Sequence, residues 1–310
     1  MVKRLAALVA VLAAISVVTF ALLAFIPGDP ASVMLGPDAT RESIAELHQA
    51  LGLDRPVPVR FAIWLGGVLR GNLGSSIFAH RPVSAMIGER LSTTLTLCAL
   101  ALLIAVVLGV SSGVLGAVRQ DGAADQLVRL FQLVGLSVPD FWLAILLLLL
   151  FSVELRWVPL VGYKTIGESF WTAIRFLALP ALALGVVQAA NLARMTRAYM
   201  LEVLRNDYVR TARAKGLAGR RVTYHHALRN ALLPVITVLG IQVGALLSGA
   251  VVVETVFGLP GIGQLVVSAI FTRDYPLIQG IILYTAAIYA VTNVAVDLSY
   301  GLLDPRVRAE

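Results

Sequence analysis

Thr93–Val118 reads TTLTLCALALLIAVVLGVSSGVLGAV, 26 consecutive residues without a charge. A bilayer core about 30 Å thick is crossed by roughly 20 helical residues, so this stretch can span one alone. Five further charge-poor windows accompany it: Leu5–Ile26, Leu130–Val153, Phe176–Ala193, Ala231–Val253 and Tyr275–Leu303. Phe176–Ala193 is the shortest and borrows a turn from Trp171–Arg175. Of the 310 residues, 58% are hydrophobic and 14% charged, against about 25% charged in soluble domains. So few charges cannot cover a soluble protein of this size, and disorder and collagen-like repeats fail on the same figures. The single Cys98, inside the quoted run, excludes a disulfide framework or a cysteine-built metal site. The expected fold is all-α, a polytopic membrane protein with six transmembrane helices.

The first window follows Lys3 and Arg4 as a secretory signal would. Its 22 apolar residues exceed a signal core and no small-x-small site follows, so it reads as an uncleaved span. Orientation comes from the positive residues. With the amino terminus inside, the inner pieces carry fifteen Lys+Arg against six acids, and the outer pieces carry ten against ten. The net charge of +7 is therefore an inner excess, with both termini cytoplasmic in a bacterial cell membrane. Three regions follow: residues 1–91, a first span with an external cap; 92–304, a five-helix core with an inner loop at 195–230; and 305–310, a cytoplasmic tail.

Pro27–Leu91 is too long for a simple connector. Thr40 caps a helix in which Ile44, Leu47 and Leu51 share a face and Gly52 supplies the stop. A second helix over Val59–Arg70 carries Trp64, which either lies at the membrane interface or packs against the bundle. Nine of the fifteen inner positives fall between Arg194 and Arg229. There, Asn206 or Asp207 starts a short helix rich in Ala and Arg, and Gly216 ends it. A second helix runs through His225 and His226 into the fifth span, which makes a basic helix–glycine–helix knob. Topology and anionic lipid explain its charge, but small residues between two bends also suit docking into a partner's groove. The last external segment, Glu254–Gly280, is broken by Gly258, Pro260, Gly261 and Gly263 before a short helix at Leu265–Phe271. Arg273-Asp274-Tyr275-Pro276 then turns it into the sixth span. It shapes an outer gate or receptor contact, or is simply a re-entry loop.

Catalytic motifs are missing. The three lysines fit no GxxxxGK[ST] phosphate loop, and neither HExxH nor GxSxG occurs. His225 and His226 are adjacent and point to different helix faces, which argues against a shared metal. Asp140, within Ser137-Val138-Pro139-Asp140-Phe141, is the one acid deep in a window. It lines a pathway with Ser137, Gln188 and Asn191, or closes a proline kink by an interhelical hydrogen bond. An intramembrane enzyme would need a second catalytic group opposite Asp140, and a secondary carrier would show inverted repeats and facing broken helices. Neither pattern is evident.

Several motifs, in order, give the chain a family likeness. Ile26-Pro27-Gly28-Asp29-Pro30, Leu51-Gly52-Leu53-Asp54-Arg55-Pro56 and Gly71-Asn72-Leu73-Gly74-Ser75-Ser76 lie in the external cap. Asp207–Gly216 continues to His226–Pro234 on the inside, and Gly258–Gly263 with Arg273–Pro276 lies outside. Together they resemble the first permease subunit of dipeptide/oligopeptide/nickel-type binding-protein-dependent ABC importers, over nearly the whole chain. The resemblance implies a type I importer fold and a homologous second permease subunit. It also implies two cytoplasmic ATPase subunits that hold ATP and Mg, and an extracytoplasmic substrate-binding protein. No cofactor is expected in this chain, and no nucleic acid. Peptides are the implied cargo, with nickel, glutathione or another small solute as alternatives. Arg210, Thr211, Ala212, Arg213, Ala214, Lys215, Gly216 and Leu217 correspond to the helix that couples to an ATPase. Gly258, Pro260, Gly261, Gly263, Arg273, Asp274 and Tyr275 correspond to the last external loop. The chain has Arg210-Thr211-Ala212 where the general signature has Glu-Ala-Ala, Asn72 where Asp is common and Ser92 where Pro is frequent.

Overall fold

The computed structural model describes residues 2–25, 29–36, 38–159 and 162–303, with side chains over 8–22, 29–36, 38–159 and 162–296. Ile26-Pro27-Gly28 of the first external motif and the tail from Asp304 lie outside the described residues. The described residues form helices and connectors, with one isolated bridge between Ser75 and Pro82. The chain begins with α1 (Val2–Phe25), α2 (Pro30–Leu35), α3 (Arg41–Leu51) and α4 (Val57–Val68). The long α5 (Val83–Val118) leads to α6 (Ala123–Ser137) and α7 (Asp140–Leu147), which runs on as a π-helix to Glu154. Next come α8 (Phe170–Leu204), α9 (Asp207–Ala214), the single turn α10 (Gly219–Arg221) and a π-helix over Val222–Leu228. Finally come α11 (Arg229–Phe257), α12 (Ile262–Thr272) and α13 (Tyr275–Leu303).

Four helical stretches are long and apolar enough to cross a membrane unaided: Val83–Val118, Phe170–Leu204, Gly219–Phe257 and Tyr275–Val296. The third window is not one continuous helix. It is two helices, α6 and α7 with its π extension, bent by 99°. The cause is local: Pro139 fixes its own φ at −63°, and Val138 before it is driven to extended backbone at ψ 121°. The first window is occupied by the 24-residue α1.

Packing divides the chain into two units, Met1–Thr93 with Pro260–Val291 and Thr94–Leu259 with Thr292–Glu310. The last external segment from Pro260 thus packs with the cap, where the sequence reading grouped it with the five-helix core. In the first unit, Val83, Ile87, Leu265, Leu277 and Ile281 share a buried core. The cap helices begin as their sequences dictate. Asp29 accepts the N–H groups of Ala31 and Ser32, Thr40 Oγ1 accepts that of Ser43, and Gly52 closes α3 at φ +66°. Trp64 packs on Phe20 of α1 and on Phe61, with ring centroids 6.0 and 6.1 Å apart.

In the second unit, α8 is the hub, held to its neighbours by glycines that admit close approach. A Cβ on Gly113 of α5 would sit 2.6 Å from Thr196 Cβ, and one on Gly109 would sit 2.8 Å from Leu192 Cβ. A Cβ on Gly135 of α6 would sit 2.5 Å from Ala190 Cβ. Small residues four apart let membrane helices approach closely. The Gly109–Gly113 spacing was visible in the sequence, but not the helix it faces.

Candidate functional site

The knob is built from α9, which starts two residues after α8 ends. Its amphipathic spacing turns Val209 and Ala212 inward against Val222, with Val203, Leu204 and Leu217 packed around them. Gly216 takes φ +75°, the left-handed conformation that ends α9 and reverses the chain. Asn230 Nδ2 donates to the Tyr208 hydroxyl oxygen at 2.7 Å and to the His226 carbonyl at 3.1 Å, which ties α9 to the start of α11.

This geometry sorts the sequence-identified coupling residues into two faces. Arg210, Thr211, Arg213, Ala214, Lys215 and Gly216 are exposed, while Ala212 is buried and Leu217 half-buried. Ala212 and Leu217 hold the knob together and are not part of its outer face. On that face Asp207 pairs loosely with Arg210 at 3.5 Å, while Arg213 and Lys215 make no ion pair among the described residues. The result is a small, rigid, cationic surface on a helical stem.

Where α5, α6 and α8 meet lies a charge cluster that sequence reading missed. Asp125 of α6 is completely buried. Arg197 of α8 meets it with two parallel bonds, Nε to Oδ1 at 2.6 Å and Nη2 to Oδ2 at 2.8 Å. Arg129 adds bonds from Nε and Nη2 to Oδ2, and the Asp121 N–H adds another at 3.0 Å. Gly116 of α5 lies against this cluster, since a Cβ there would be 3.1 Å from Asp125 Oδ1. Three helices meet at one carboxylate. The only local sign was Arg129 at i+4.

The four residues proposed for the pathway do not converge. The Asp140 carboxylate accepts the Phe141 N–H at 2.8 Å at the start of α7. A Cβ on Gly249 of α11 would lie 2.5 Å from Asp140 Oδ2 and 3.0 Å from Leu184 Cδ2. Among the described residues Asp140 makes no hydrogen bond to Gln188 or Asn191. Ser137 Oγ returns to its own helix at the Leu133 carbonyl, and Asn191 Oδ1 accepts from Arg194. Gln188 instead accepts, through its carbonyl, from Gln242 Nε2 at 3.1 Å. Gln242, the one amide side chain in the Ala231–Val253 window, is buried with its Oε1 unpartnered, and sequence reading passed over it.

The residues of the last external segment also divide. Gly258 is exposed, Pro260, Arg273 and Tyr275 are half-buried, and Gly261, Gly263 and Asp274 are buried within the unit that contains them. Asp274 is a frame residue: it accepts from the Ser76 hydroxyl, the Ile77 N–H at 3.2 Å and the Leu277 N–H at 3.3 Å. It thereby joins the Gly71–Ser76 segment to the start of α13, and is not available to touch a receptor.

The sequence model for the binding-protein-dependent transport system inner membrane component matches residues 105–309. Its N-terminal companion model matches residues 1–98. The chain belongs to this family. It is therefore a multi-pass membrane permease component of a transport system, and not a member of an enzyme family. It is 44% identical over 306 residues to a probable peptide ABC transporter permease of Sinorhizobium fredii, covering 99% of this chain and 98% of that one. It is 42% identical to the di/tripeptide transport system permease DppB of Pseudomonas aeruginosa, covering 99% of this chain and 97% of that one. It is 40% identical to the dipeptide transport system permease DppB of Alkalihalophilus pseudofirmus, covering 99% and 98% respectively. In fold the permease resembles a chain of the inward-facing MetNI methionine ABC transporter, with a TM-score of 0.57 at 16% identity. That likeness covers 71% of this chain and 96% of the other.

Proposed function

We propose that this permease forms half of the translocation pathway of an ATP-driven importer for di- and oligopeptides. It sits in a bacterial inner membrane with both termini in the cytoplasm. A homologous permease supplies the other half, an extracytoplasmic binding protein delivers the peptide, and two ATPase subunits hold ATP and Mg. The observation that carries the coupling role is the split of α9: its apolar face is anchored in its own chain while its cationic face is exposed. The names of relatives at 40–44% identity support peptides as the cargo.

The mechanism follows from the stem. Movement of an ATPase groove displaces α9 as a rigid piece, because Val209 and Ala212 lock it to the π-helix before α11. Two residues separate α9 from α8, and Asn230 links it to α11, so both long helices receive the displacement. Alternating access is then a rocking of packed helices, outward-open when the ATPases close and inward-open after hydrolysis.

The double variant Arg210→Glu/Arg213→Glu tests this, because both side chains are exposed and neither supports the fold. In the assembled transporter it should abolish peptide uptake and release the ATPase subunits on purification, with unchanged membrane insertion. Normal uptake with normal co-purification would refute the coupling role. Mass spectrometry of the ligand retained by the binding protein tests the cargo: a peptide supports it, and nickel or glutathione replaces it.

A further inference from the structure

A cavity of about 410 Å³ lies in the first unit, between the cap helices and the start of α13. None of its lining residues is used by the coupling role argued above. Its charged lining residues are Arg55 and Arg60, and no carboxylate lines it. Neither guanidinium group makes a hydrogen bond or ion pair among the described residues. A third donor is also unmatched: Trp64 lines the cavity, and its Nε1 is buried without an acceptor. Two guanidinium groups and an indole N–H around one cavity call for an anion rich in acceptor oxygens. A phosphate matches guanidinium groups best.

The remaining lining says what carries the phosphate. Phe20 forms part of the wall and belongs to α1, near the C-terminal end of that apolar helix. Phe20, Phe61 and Trp64 form an aromatic cluster with centroids 5.3 to 6.1 Å apart. Ile63, another lining residue, is 55% exposed. With α1 as the first span expected from the sequence, its end beside a Trp places the cavity at the level of the bilayer surface. Cationic donors above an apolar, aromatic surface fit an amphiphile whose anionic head adjoins hydrocarbon. We propose that this cavity binds the headgroup of an anionic phospholipid, with the phosphate on Arg55, Arg60 and the Trp64 N–H and the acyl chains leaving across Phe20 and Ile63. A lipid held there fastens the cap to the first span.

Native mass spectrometry of the purified transporter, delipidated in mild detergent and titrated with phosphatidylglycerol or phosphatidylcholine, tests the site. Wild type should retain phosphatidylglycerol in preference to phosphatidylcholine. Two surface arginines contribute enough for Arg55→Gln/Arg60→Gln to weaken that retention roughly thirtyfold. Trp64→Phe, which keeps the ring and loses the N–H, should weaken it roughly fivefold. Arg41→Gln/Arg70→Gln removes the same charge from exposed positions outside the cavity and should bind as wild type does. Equal retention of the two lipids overturns the proposal, as does an equal loss in the control variant. Displacement of phosphatidylglycerol by a dipeptide overturns it in favour of a peptide carboxylate site.

Discussion

Asp125 and Asp140 belong to one bent pair of helices, fifteen residues apart, and their fates are opposite. Asp140 interrupts an apolar window, whereas Asp125 lies just outside that window among ordinary polar residues. In the fold Asp125 is fully buried and gripped by Arg197 and Arg129, whereas Asp140 is partly exposed and, among the described residues, accepts only the N–H of the next residue in the first turn of α7. Position in a hydropathy pattern measures the neighbours along the chain. Burial of a charge depends on the neighbours in space: Asp125 is buried where the fold supplies two guanidinium groups, and Asp274 where it supplies a hydroxyl and two backbone N–H groups.

The sharpest way to break this contrast is Asp125→Ala. Removing one partner of a buried charge cluster strands the others, and Arg197 is only 18% exposed. Loss of a buried partner costs about 3–5 kcal/mol. The lower end is expected here, because Arg129 is 49% exposed and can turn to water. The purified permease should show a clearly lowered melting temperature and poorer assembly. A melting temperature equal to wild type would mean that the cluster does not hold α6 and α8 together.

Asp140→Asn probes the other half of the comparison. Asparagine can still accept the Phe141 N–H, so the variant loses only the favourable charge at a helix N-terminus, roughly 0.3–1 kcal/mol. Stability should barely change. If Asp140 serves the pathway, peptide uptake falls while the melting temperature holds. If both hold, its role is confined to the first turn of α7.

Local features of the fold were legible because their causes are local. Thr40 and Gly52 bound α3 as residue type dictates, and Gly216 ends α9 for the same reason. Pro139 marks where the helix breaks, but residue type alone does not set the size of the bend, 99°. The Asp125–Arg197 pair joins residues 72 apart, and no periodicity encodes such a partner. The same limit applies to α9: its composition showed a basic helix–glycine–helix knob, but only packing showed that Ala212 turns inward while Arg213 turns outward.

A third acid refines the comparison and has the smallest expected effect. Asp29 caps α2 from the position before it, whereas Asp140 is the first residue of α7, and Asp29 also has a side-chain partner, His48 Nε2, at 2.6 Å. Burial pushes the Asp29 carboxyl upward. The hydrogen bonds from His48 and from the Ser32 and Ala31 N–H groups outweigh it, and the net direction is down from 3.8. A carboxyl whose folded pKa lies below its unfolded value stabilises the fold above the unfolded value. That stability is lost as pH falls through the folded value. The window is therefore the acid side of pH 3.8, and the group contributes a constant amount at neutral pH. Melting temperature followed as pH is lowered into that window should fall less steeply in Asp29→Asn than in wild type, because the variant has no proton to take up there. Parallel curves would mean that neither the His48 contact nor the Ser32 and Ala31 N–H groups stabilise the Asp29 carboxylate.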